Sequence, residues 1–126
     1  MKISTFRYFA TKANNVLSID HWQGSIEHQK SVKLQTLYSQ FMSNCVQFKH
    51  IILPIKMSTY DAAQLELPKA DLIYIDASHE TDDVIQDIEN YYPLLKTNGI
   101  LCGDDWNWRK DRPVQKAVKY YAKNTI

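Results

Sequence analysis

Glycine is scarce in this chain: Gly24, Gly99 and Gly103 are the only three among 126 residues, well below the roughly 7% of an average protein. No glycine-rich phosphate or dinucleotide loop can be written from them. Cysteine is scarcer still, and Cys45 and Cys102 stand too far apart to form a metal-type pair. Cys102 lies in an apolar run, so both read as small buried hydrophobes of a reducing compartment. No stretch approaches the roughly 18 apolar residues of a membrane span. Met1 to Ala13 carries Lys2, Arg7 and Lys12 and lacks the apolar core of a secretory signal. The expectation is a cytoplasmic protein without a membrane partner. An excess charge is missing too: 15 Lys and Arg balance 14 Asp and Glu, a formal net charge of +1. Such a chain has no overall field to hold it on a phosphate backbone, which excludes nucleic acid as the expected partner. Repeats, low-complexity tracts and linker-like segments are also lacking.

What is present suits one soluble domain spanning residues 1–126, with 44% hydrophobic and 23% charged residues. Charge is unevenly placed. Residues 71–89 hold seven acids and no Lys or Arg, whereas residues 107–126 hold six bases and one acid.

Apolar spacing predicts alternating helices and strands. Ser4 caps a short helix with Phe6, Phe9, Ala10 and Ala13 on one face, followed by a strand from Val16 to Asp20. Ser25 opens a longer helix whose inner face is Leu34, Leu37, Tyr38, Phe41, Met42 and Cys45. His50 to Ile55 reads as a strand, with Pro54 marking its end or an edge. Ser58-Thr59-Tyr60-Asp61 resembles a capping box for a helix reaching about Leu65. Asp71 to Asp76 is a buried strand, Thr81 caps the next helix, and Pro93 breaks its last turn. Asn98-Gly99 turns the chain into strand Ile100 to Gly103, and Pro113 starts a final helix. The fold class is therefore α/β, with a parallel sheet covered by helices on both faces.

In such a sheet ligands bind beyond the carboxyl ends of the strands. Asp20, Asp76, Asp104 and Asp105 all fall there. Asp76, Asp104 and Asp105 offer hard oxygen ligands suited to Mg²⁺ or Mn²⁺, which would offset their mutual repulsion. His79, three residues after Asp76, is placed to take a proton from a substrate hydroxyl. Trp22, Trp106 and Trp108 follow rim acids, either to stack on a ligand or to plug the loops. Arg109, Lys110 and Arg112 either bind an anionic substrate or form a solvated helix start.

The run DLIYIDASHETDDVIQDIENYYPLLKTNGILCGDDW, Asp71 to Trp106, resembles the second half of class I S-adenosylmethionine-dependent methyltransferases. It is most similar to the metal-dependent O-methyltransferases of the macrocin and cephalosporin-biosynthesis type. VLSIDHWQG, from Val16, resembles the family's second strand. The resemblance implies a Rossmann-like domain that methylates a hydroxyl of a small molecule or sugar. It assigns Asp20 to the cofactor ribose, Ser58 to the adenine loop, Asp76, Asp104 and Asp105 to the metal, and His79 to the role of general base.

The family's first strand and its E-x-G-x-x-x-G loop would precede Ile3, and two further strands would follow the last helix. Relative to the family, the resemblance thus implies a domain truncated at both ends. It predicts weak binding of S-adenosylmethionine, self-association into a homo-oligomer, and a partial or inactive form of the enzyme. The alternative is a non-catalytic α/β module that uses its acidic rim for binding or assembly.

Overall fold

A computed structural model describes residues 8–23 and 36–125. The chain divides into two compact units, Met1–Ser58 and Thr59–Ile126. Each contains a two-stranded parallel ladder with helices, so the architecture is α/β. The sequence reading expects all four strands in one sheet, whereas the ladders among the described residues are two pairs. No helix among these residues is long and apolar enough to cross a membrane.

In the first unit, β1 (Val16–Asp20) runs parallel to β2 (Ile52–Lys56), in register from Val16 opposite Ile52 to Asp20 opposite Lys56. A parallel pair needs a crossover, and that crossover contains α1 (Leu37–Asn44). Phe41 of α1 packs with Ala10, Trp22, Cys45 and Ile52 in the core. The predicted inner face narrows here: Met42, one residue round the helix from Phe41, is exposed. Pro54 sits within β2 opposite Ser18, tolerable because β2 has a single described neighbour and needs no donor on its other side. The Ser4 cap with Phe6 and the Ser25 helix start with Leu34 lie outside the described residues.

The second unit contains α2 (Thr59–Ala62), β3 (Ala70–Ile75), α3 (Thr81–Tyr91), β4 (Leu95–Gly103) and α4 (Pro113–Thr125). Val84, Ile88, Val114, Ala117 and Tyr121 join α3 to α4 and pack on Ile75 and Leu101. By the two-residue alternation of strands, Leu72 and its register partner Ile100 occupy the opposite face, where both are exposed. Pro113 opens α4 as predicted, its fixed φ suiting a first helical position. Thr81 is not the cap of α3. Extended Glu80 takes that place, and the Thr81 hydroxyl donates to Pro113 O at 3.1 Å, tying the starts of the two helices together.

Asn98-Gly99 is likewise not a turn before the strand but a bulge within it. Between the pairs Ala70–Leu95 and Leu72–Ile100, β4 advances farther than β3. Asn98 absorbs the excess at φ 65°, a left-handed conformation that asparagine tolerates.

A buried polar cluster joins α2 to α3. Asp87, 4% exposed, accepts the Thr59 hydroxyl, and Tyr91 Oη donates to Thr59 O at 2.7 Å. Burial raises the Asp87 carboxyl above the usual aspartate range, with the Thr59 bond opposing and the Asp83 charge adding. Burial, then the Asp87 charge, pushes the Tyr91 phenol up to about 12. A raised carboxyl holds its proton more tightly in the native state than in the unfolded one. Its favourable contribution is therefore present at acid pH and is lost as pH climbs through the ordinary aspartate value to the native one. The Asp87→Asn variant cannot titrate, so its melting temperature relative to wild type should rise over the pH range above the ordinary aspartate value. A difference constant across that range in thermal denaturation would contradict the assignment.

Candidate active site

Strand alternation places Tyr74 and Asp76 on the same side of β3, with Asp76 one residue beyond its end. The chain then crosses to α3 through Ser78, whose hydroxyl donates to Asp83 and accepts from the Glu80 N–H. These bonds hold His79 between them. At the end of β4, Asp104 N donates to Ile75 O at 3.3 Å, fastening the two strand ends together. Asp105 follows at φ 58°, a reversal that aims its side chain differently from that of Asp104.

The result is a convergence of Asp76, His79 and Asp105, each offering an atom within 4.8 Å of the others. His79 Nε2 lies 2.8 Å from Asp105 Oδ2 and 3.7 Å from Asp76 Oδ1. Nε2 is buried, and these two carboxylates are the groups it faces. The Trp108 ring, 5.1 Å from the imidazole between centroids, packs beside it.

Asp104 does not join this group. Its Oδ2 accepts the Tyr74 hydroxyl at 3.2 Å, and its Oδ1 accepts Asp105 N at 2.8 Å. Burial first, then the Asp104 bond and the charges of Asp104 and Asp76, pushes the Tyr74 phenol up to about 12. Tyr74 therefore stays a neutral donor over any working pH. The sequence reading passes over Tyr74: strand alternation puts it on the side of Asp76, but its partner, thirty residues away, leaves no local signal.

The loop after β4 is clamped rather than free. Arg109 donates to both carboxylate oxygens of Glu80, at 2.7 and 3.1 Å, and to both of Asp111 at 3.1 Å. These bonds raise its already high pKa, that to Glu80 most. Arg112 binds the Asn107 carbonyl at 2.7 Å. Two of the three bases considered for an anionic substrate are thus occupied within the loop. Glu80 follows His79 directly, so the Arg109 fork ties the loop to the segment carrying the imidazole.

The first unit holds the remaining residues. Asp20 ends β1 and accepts Trp22 N at 2.7 Å. This turn puts Trp22 at φ 51° into the core, 4.9 Å from the Tyr38 ring and 5.0 Å from that of Phe41. Trp22 is therefore a plug, whereas Trp106 is exposed. Ser58 is the last residue of this unit and is half-buried.

Parallel βα units with polar side chains gathered at strand carboxyl ends define an α/β fold of the kind that binds small ligands there. Residues 4–106 match the model of a methyltransferase domain family, and the chain belongs to that family. Neither a curated protein nor a solved structure matches it.

The donors suit a divalent cation. Two carboxylates at close quarters repel each other, and a buried ring nitrogen faces them. A cation with carboxylate and water ligands would offset that repulsion, and Mg²⁺ and Mn²⁺ both accept such oxygen donors.

Proposed function

We propose that the chain is an S-adenosylmethionine-dependent O-methyltransferase acting on a small-molecule hydroxyl with Mg²⁺ or Mn²⁺. The observation that carries this reading is the convergence of the buried His79 Nε2 with Asp76 and Asp105. When bound, the cofactor would supply an electrophilic methyl group and the cation would lower the pKa of the acceptor hydroxyl.

The chain's own residues do the rest. Asp76 and Asp105 would hold the cation, and His79 would accept the hydroxyl proton at Nε2. The neighbouring carboxylates favour the imidazolium so formed. Trp108 and the Arg109–Glu80 fork keep the ring and loop in place. Asp104, occupied by Tyr74 and the Asp105 amide, braces the loop instead of binding the ion directly. Asp20 would hold the cofactor ribose and Ser58 its adenine, the roles that the family resemblance implies.

Adding millimolar Mn²⁺ should raise the melting temperature. At about 100 times the dissociation constant the gain is about 2.7 kcal/mol. Asp76→Asn and Asp105→Asn should remove most of that rise, Asp104→Asn less, and Asp82→Asn on the exposed side of α3 none. Label from tritiated S-adenosylmethionine should reach a hydroxylated acceptor only with the cation present. Equal shifts in all four variants, or cation-independent transfer, would overturn the reading.

A further inference from the structure

The second unit contains a space of about 800 Å³ alongside the β3–β4 ladder. Protein interiors rarely leave voids larger than a water molecule, whereas small-molecule sites occupy about 300–1,000 Å³. This space is therefore of ligand size. Its walls are Ile75 and Leu101 from the strands, Val84 and Ile88 from α3, and Val118 and Tyr121 from α4. Tyr92 extends the aromatic side, its ring 5.8 Å from that of Tyr121. Asp76, His79 and Asp104 also line the space, at the carboxyl ends of the strands. The β4 bulge with Asn98 borders it toward the opposite ends. The β4 segment from Gly99 to Gly103, whose two ends both border the space, measures about 13 Å at the strand rise.

We propose that this cavity receives the methyl acceptor, and that the acceptor has a flat apolar body, of about two fused rings, with its hydroxyl at one end. The inference rests on the methyltransferase reading for what happens to that hydroxyl, but the binding itself does not depend on it. A sugar would carry several hydroxyls against walls of aliphatic side chains, where unpaired polar groups are costly. An aryl body instead buries apolar surface along Ile88, Leu101 and Val118. Its single polar group then sits at the end where Asp76 and His79 provide partners.

The test uses methyl-labelled Ile, Leu and Val in the whole chain, observed by NMR. β-Naphthol should shift the Ile88, Leu101 and Val118 methyl resonances saturably, and methyl glucoside should leave them unmoved. Val118→Trp fills the space and should weaken naphthol binding by about tenfold or more. Leu101→Phe provides a second filling variant, and far-UV circular dichroism identifies whichever of the two remains folded. Mn²⁺ broadening of the His79 ring resonances reads the cation site separately. Naphthol shifts without that broadening would uphold the cavity and sink the metal reading. Broadening without naphthol shifts, equal shifts from the glucoside, or undiminished affinity in a folded filling variant would overturn the apolar acceptor.

Discussion

Replacing His79 with glutamine is expected to lower kcat by about 10²- to 10⁴-fold, the usual contribution of a positioned general base. Glutamine keeps the length and a polar end but cannot take up a proton. KM for the acceptor and the Mn²⁺-induced rise in melting temperature should change little, because Asp76 and Asp105 remain. The expectation rests on a buried Nε2 that faces Asp105 at 2.8 Å and Asp76 at 3.7 Å, carboxylates that stabilise the protonated ring. A rate loss matched by an equal loss of Mn²⁺ affinity would make His79 a ligand instead, and an unchanged kcat would remove it from the chemistry.

Gly103→Ala should have the largest effect on stability. Gly103 lies opposite Ile75 in the ladder, and a Cβ at this position would stand 2.6 Å from Ile75 O. That neighbour is backbone, so no side-chain rotation relieves the clash, and the strands must part. A cost at or above the upper end of about 1–3 kcal/mol follows, or roughly 4–8 °C per kcal/mol for a unit of this size. The strands would separate where Asp76 and Asp104 leave them, so Mn²⁺ binding should weaken as well. Gly99→Ala makes a milder comparison, since the closest approach is 2.9 Å, to Lys96 O within the β4 bulge. Equal melting temperatures for wild type and Gly103→Ala would refute this account.

Local chemistry made much of this legible. Val16–Asp20 is the strand expected after the first helix, and Pro113 starts its helix because proline is suited to that position. The Asp76-x-x-His79 spacing announced two members of the cluster. Asn98-Gly99 misled because the left-handed backbone of a turn serves equally well in a bulge, and only the register against β3 separates the two. The neighbouring acids Asp104 and Asp105 posed the same difficulty. Which of them faces His79 depends on a single positive φ and on a tyrosine thirty residues earlier. The Arg109–Glu80 fork likewise joins segments whose proximity arises only once β3 and β4 have paired.

The loop from Asp105 to Arg112 holds three residues at φ 58°, 52° and 53°: Asp105, Arg109 and Arg112. Glycine would adopt each of these conformations with less strain. A sequence shaped for durability alone would use it there. Yet glycine at 105 would delete a carboxylate from the cluster, at 109 the grip on Glu80, and at 112 the hold on Asn107. Each position trades conformational ease for a side chain that only a non-glycine residue brings. A glycine-poor chain thus spends backbone comfort where its polar groups must converge, and thermostabilising substitutions in this loop would erode the site before they harmed the fold.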